Sequence, residues 1–383
     1  MRIPESELAQ RRERLREHAP GGYVLFTPDA IRYCTDFWFL SNERPIAYAE
    51  LTDGESFVFV PEFEVERTRA ETSFARIESY PEYPGLEHPM HVLARLLGPR
   101  ETLGADTDGY PGILGYAGPP LSEVTGASVV PLGAVLEALM RIKSANEIEL
   151  IRESGRWCAY AHRLLQERTR VGRTEAEVSL EVQQEATLAM LRAGDYGQLG
   201  SADGVKAGWR GQIGARSAWA HAIAHDIAFA AGDLLVTETG APVWGYNAEL
   251  ERGLVIGEPS DTVKWMFEHV VNAQQAAFDA FTSATTCADV DGAVLRYFEQ
   301  HELLPYWRQH TGHGIGLRNH EAPFLDVGDH TPLEPGMVFT IEPGVYDEAV
   351  GGLRHSDTVV VTGGGIEILT EYPRDLESLT IPV

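Results

Sequence analysis

At Ser144 the chain changes character. From here the segment KSANEIELIRESGRWCAYAHRLLQ places Ile148, Ile151, Cys158, Ala161 and Leu165 at steps that fit one helix face. Ser144 followed by Glu147 spells a capping box, in which the hydroxyl and the carboxylate each accept from the other's backbone N–H. Thr174 and Glu177 repeat the device and predict a second helix to about Arg192. A third helix is expected over roughly Asp261 to Phe281. Between and after these helices come short β-branched runs: GDLLVTETGA, AELERGLVIG, GMVFTIEPGVY and SDTVVVTGGGIEILT. Helices grouped with antiparallel strands predict an α+β domain over residues 144–383.

The first 143 residues have a different texture. GYVLFTP, ESFVFVPEF and ASVVPL read as strands, and Ser6 to His18 as a helix. This is the pattern of a smaller α/β domain, residues 1–143. A chain of 383 residues is long enough for two cores.

Composition excludes several classes. The net charge is −26, with the acid excess spread along the chain, so the surface repels nucleic acid and anionic membranes. Lys143, Lys206 and Lys264 are the only lysines. Such a surface suits a salt-rich cytoplasm, since the Debye length falls to about 3 Å at 1 M salt; a halophilic source is expected. No apolar run reaches the roughly 18 residues of a membrane span. The N-terminus lacks the apolar stretch of a signal peptide, and a cytoplasmic location is expected. Cys34, Cys158 and Cys287 are scattered and read as buried free thiols.

The chemistry gathers in four places. HTGHGIGLRNHEAP carries His310, His313, His320 and Glu321, with His313 between glycines that permit tight turns and close approach of a ligand. AHAIAHD carries His221, His225 and Asp226. LLVTETGAPVWGYNAELERGLVIG reads as a hairpin. A turn between Val243 and Trp244 sets Glu238 opposite Glu249, and Glu238, Glu249 and Glu251 then share a face. Three such carboxylates call for a metal, a cationic substrate, a nearby arginine such as Arg252, or raised pKa values. Finally, Glu342 closes the apolar strand VFTIEPGV and needs a cation, a proton or a metal, and Arg354, His355, Ser356 and Asp357 precede another strand.

The order of these motifs resembles the pita-bread superfamily of creatinase, aminopeptidase P and prolidase. IKSANEIELIR, AHAIAHD with AAGDLLV, HTGHGIGLRNHEAP, LEPGMVFTIEPGVY and LRHSDTVVVT carry the resemblance over about 144–383. It implies a C-terminal pita-bread domain behind a creatinase-type N-terminal domain, and a homodimer. The family's peptidases hold two metal ions with Asp, Asp, His, Glu and Glu. Carried over, these positions are Glu238, Glu249, His313, Glu342 and Ser356. A neutral serine in the bridging place is a poor ligand for a hard divalent cation. The expected cofactor is therefore none, or a single manganese-like ion held by such residues as Glu249, His313 and Glu342. GYNAELERGL further resembles metal-free creatinase, which implies that Glu251 contacts a cationic substrate, with Arg354 beside it. His221, His320 and Glu342 are then the catalytic set, with His221 carrying the proton.

Three functions follow from the resemblance. The first is hydrolysis of an amide, peptide or amidine C–N bond in a small cationic or zwitterionic substrate. The second is a metal-dependent Xaa-Pro aminopeptidase or dipeptidase. The third is a non-catalytic binding protein, against which the retention of His221, His313, His320 and Glu342 argues. Arg44 is a candidate substrate contact, and His225 and His310 have no assigned role.

Overall fold

The computed structural model describes residues 2–52, 54–196 and 204–383. They form two compact units, residues 3–140 and residues 141–383 with Arg2.

In the first unit the opening helix is Glu5–His18, one residue longer than the pattern suggests. It accompanies a six-stranded sheet in the order Ile77–Tyr80, Ser56–Pro61, Ala47–Glu50, Tyr23–Leu25, Thr102–Ala105, Ser128–Pro131. Ala47–Glu50 runs antiparallel to both neighbours, and the other pairings are parallel. This is the expected α/β texture. Buried Glu50 is held by the Tyr23 hydroxyl, which donates over 2.9 Å, and by Arg16.

The second unit is α+β, as expected. Ala145–Arg168 and Glu175–Ala193 both begin with complete capping boxes, at Ser144 and Thr174. Asp261–Ala280 matches the third predicted helix. A fourth, Cys287–Gln300, escaped the pattern; Thr286 and Asp289 cap it with an aspartate where the signature expects Glu or Gln. The large sheet runs Glu321–Leu325, Gly312–Gly314, Val338–Ile341, Ser356–Thr362, Glu249–Glu251, Glu238–Gly240, Lys206–Gly208. Gly365–Ile368 also pairs with Ser356–Thr362, and every pairing in this sheet is antiparallel.

The predicted long hairpin is real but divided between two sheets. Leu234–Val236 pairs with Gly253–Ile256 in a three-stranded sheet, while Glu238–Gly240 pairs with Glu249–Glu251 in the large one. The break falls at Thr237 and Arg252. There the Thr237 N–H donates to the Arg252 carbonyl over 3.0 Å, and the Arg252 N–H donates to the Thr237 hydroxyl over 2.9 Å. The register corrects the sequence reading by two residues: Glu249 lies opposite Gly240, which sets Glu238 across from Glu251 rather than Glu249. Because the shift is even, the three glutamates still share one face.

The glycines around His313 answer to crowding rather than turning. A Cβ at Gly312 would lie 1.9 Å from the Thr340 carbonyl oxygen, and one at Gly314 would lie 2.5 Å from that of Glu321. Cys34, Cys158 and Cys287 are free and buried. Among the described residues, no helix is long and apolar enough to cross a membrane.

Candidate functional site

Four neighbouring strands of the large sheet and the loop after Gly314 bring the predicted residues together. Glu249 and Glu251 come from one strand, Ser356 opens the strand beside it, and Glu342 follows Val338–Ile341. His313 stands in Gly312–Gly314, and His320 stacks on it with ring centroids 3.6 Å apart and planes 15° apart. Ligand atoms of Glu249, Glu251 and Glu342 lie within 4.8 Å of one another, and so do those of Glu249, His313 and His320.

Each charge in this cluster has a visible answer. His313 is buried; its Nδ1 lies 3.0 Å from the Gly314 carbonyl oxygen and its Nε2 lies 3.2 Å from Glu342 Oε1. Burial opposes a charge on the ring, but Glu342 and Glu249 outweigh it and push the imidazole up to about 9. Glu342 is the converse. Burial would raise its carboxyl, yet His313, Arg354 and His310 hold it down at about 2. Part of Glu249 is open to solvent, but it sits deep among Glu342, Glu251 and Glu238. Burial first and those charges second hold its proton well above the usual carboxylate range. The Ser356 hydroxyl donates to Glu249 Oε1 over 3.0 Å.

Glu251, which the resemblance to creatinase sets against a cationic substrate, is paired with Arg354 in this structure. The Arg354 guanidinium embraces it, with Nε on one carboxylate oxygen and Nη2 2.6 Å from the other, and both side chains are 2% exposed. Arg354 Nη1 also donates over 3.2 Å to the Tyr346 hydroxyl and to the Ala220 carbonyl. Burial raises the Glu251 carboxyl above its ordinary range, and Arg354 pulls against that shift through its two-pronged contact. Arg252, one of the alternatives for balancing the glutamates, pairs with Asp357 at 2.9 Å.

Glu238 stands apart from both groups of converging atoms. Arg210 forms an ion pair with it, a residue the sequence reading did not single out. A lone arginine in AGWRGQ has no period to betray it. Glu321 also leaves the cluster and pairs with buried Lys143, 178 residues away. His221 is exposed on an irregular loop, and Gln212 Nε2 ties that loop by donating to the carbonyls of Trp219 (3.1 Å) and Ala220 (3.4 Å). His320 is also exposed. Burial lowers its pKa first, and the charges of His313, His310 and His221 act in the same direction, so His221 stands within their electrostatic reach. His225 is held through its backbone, whose N–H donates to Glu175 over 3.4 Å. Arg44 is engaged with Glu43 and with Glu82, 2.7 Å away, in the first unit.

The model of metallopeptidase family M24 matches residues 149–363, and that of the creatinase/prolidase N-terminal domain matches residues 8–139. The chain belongs to metallopeptidase family M24. Among its M24 relatives is the Xaa-Pro dipeptidase of Pyrococcus furiosus, 28% identical over 88% of this chain and 92% of that protein. Another is the probable dipeptidase PepE of Mycobacterium tuberculosis, 30% identical over 78% of this chain and 75% of its own length. The solved structure of the Xaa-Pro dipeptidase from Bacillus anthracis superposes with a TM-score of 0.80 at 27% identity, covering 98% of this chain and all of that one (100%). The pita-bread expectation therefore holds for the whole architecture, N-terminal domain included.

M24 peptidases typically hold two metal ions, and this donor set does not fit a pair. Ser356 stands where the resemblance puts the bridging ligand, and Arg210 holds Glu238, where it puts another. The atoms of Glu249, His313 and His320 do converge closely enough for a single ion.

Proposed function

We propose that this chain is a hydrolase that cleaves the C–N bond of a small zwitterionic substrate of dipeptide size. The reading rests above all on the proximity of Glu249 and Glu342, whose carboxyl oxygens lie within 4.8 Å of each other while one group keeps its proton and the other loses it. Two carboxyls whose environments push their pKa values apart supply an acid and a base at the same pH. Glu342 takes the proton of the attacking water. The Glu249 proton hydrogen-bonds the oxygen on which charge develops. Neutral His320 relays the proton that Glu342 took, accepting it at one ring nitrogen and releasing one from the other, through His221 at the exposed rim to the departing nitrogen, which returns Glu342 to its carboxylate. Arg354 positions both Glu251 and, 3.9 Å away, Glu342. A single divalent ion, where bound, rests on Glu249, His313 and His320 and supplies Lewis acidity toward a carbonyl oxygen.

The relatives' names support a dipeptide as substrate. We take residues 1–143 as the accessory domain and 144–383 as the catalytic one, in a homodimer. The acidic surface and lysine scarcity support a cytoplasm rich in salt, without nucleic-acid or membrane partners. The test is release of proline from Xaa-Pro dipeptides by purified protein in concentrated salt, with and without manganese and chelator. Cleavage that survives chelation and disappears in Glu342→Gln supports the reading. No cleavage of any dipeptide or small amide under either condition removes it.

A further inference from the structure

We infer that Arg210 supplies at Glu238 the positive charge that a metal ion supplies elsewhere in family M24, so that this site takes at most one divalent ion. The four carboxyl groups of the site are accounted for one by one. Arg354 holds Glu251 from a position 2% exposed, with both carboxylate oxygens engaged. His313 lies 3.2 Å from Glu342. Arg210 holds Glu238, and Ser356 donates to Glu249. A second ion would have to displace a guanidinium from its carboxylate and still lack the bridging ligand.

Arg210 is placed for this by its backbone. It is a non-glycine residue at φ 48°, followed by Gly211 at φ 74°. A Cβ on Gly211 would lie 2.1 Å from the Ile223 carbonyl oxygen, so the left-handed turn also presses this loop against the one after His221. The Gly211 N–H donates to Glu175 Oε1 over 2.6 Å, and the His225 N–H reaches the other oxygen of the same carboxylate. Two residues before Arg210, Gly208 pairs with Glu238 across the sheet. The arginine thus leaves its strand just past its partner and returns to it through a turn that an L-residue adopts only under constraint.

Arg210 is 39% exposed and Glu238 31% exposed, so Arg210 is open to substitution without opening the core. The experiment counts manganese bound per chain, by elemental analysis after equilibrium dialysis against Mn²⁺, in wild type, Arg210→Met, Arg210→Lys and Arg163→Met. Arg163 is a solvent-exposed arginine of the same unit and reports on loss of charge at a distance. We expect at most one ion in the wild type. Mn²⁺ should bind at least ten-fold more tightly in Arg210→Met, with Arg210→Lys and Arg163→Met unchanged. Two ions in the wild type overturn the inference. So does an Arg210→Met affinity equal to wild type, or a gain matched by Arg163→Met. Ion counts do not depend on which bond is cleaved, so the outcome is separable from the fate of the hydrolase reading.

Discussion

Two buried arginine–carboxylate pairs have their carboxylates, Asp357 and Glu251, on neighbouring strands of one sheet, and they differ in what surrounds them. Behind the sheet, Arg252 reaches Asp357, and its remaining N–H groups go to the carbonyls of Glu251, Ser356, Tyr372 and Pro373. Asp357 also accepts from Thr370 (2.9 Å) and Gln274 (3.0 Å). On the site side, Arg354 and Glu251 sit beside Glu342, Glu249 and His313, where one carboxyl keeps its proton and His313 Nε2 makes no well-formed hydrogen bond. A closed network rigidifies, whereas an open one keeps groups whose proton or partner can change. Closure behind the sheet belongs to the Arg252–Asp357 pair itself, since Gln274 Oε1 and both ring nitrogens of His355 beside it make no well-formed hydrogen bond.

The comparison breaks most visibly from behind. Arg252→Met leaves Asp357 charged and buried, and should cost about 3–5 kcal/mol of stability. Urea unfolding should show this as a lower midpoint; a midpoint near wild type would mean that the network is not closed. On the open side, His221→Ala should lower kcat/KM about 100-fold, in the range of a lost general acid. Its unfolding midpoint should barely move, because the side chain is exposed. Full activity would remove His221 from the proton path.

The closed face also predicts a pH response. Burial, reinforced by Arg252, holds His162 and His355 well below the ordinary histidine range. The unfolded chain therefore binds more protons than the folded one as pH drops below about 6.5. Stability should be full above that value and fall by about 1.4 kcal/mol per pH unit for each histidine below it. Denaturant melts of wild type and His162→Gln between pH 7 and 5 measure the slope; an unchanged slope in the variant would put the protonation elsewhere. The smallest effect belongs to Ser356→Ala, which removes one hydrogen bond to Glu249 and should cost about 1 kcal/mol. A much larger loss would show that the serine carries more than its single bond.

Much of the architecture is legible in the sequence because its signals are local. The capping boxes at Ser144 and Thr174 fix two helix starts, and β-branched runs fix the strands. The helix from Cys287 was missed because its box ends in Asp289. The glutamate face survived a register error only because the error was two residues; one residue would have turned Glu238 to the opposite face from Glu249 and Glu251. What local patterns could not give is pairing at long range. Arg354 meets Glu251 across 103 residues, and Lys143 meets Glu321 across 178. The sequence gives no sign that Glu251 has an arginine partner; the fold supplies one in Arg354.

The loop that carries His221 is tied down through carbonyl oxygens: Gln212 holds Trp219 and Ala220, and Arg354 holds Ala220 again. A carbonyl is the same whatever side chain hangs from it. The path of this loop therefore does not depend on the side chains of Trp219 and Ala220.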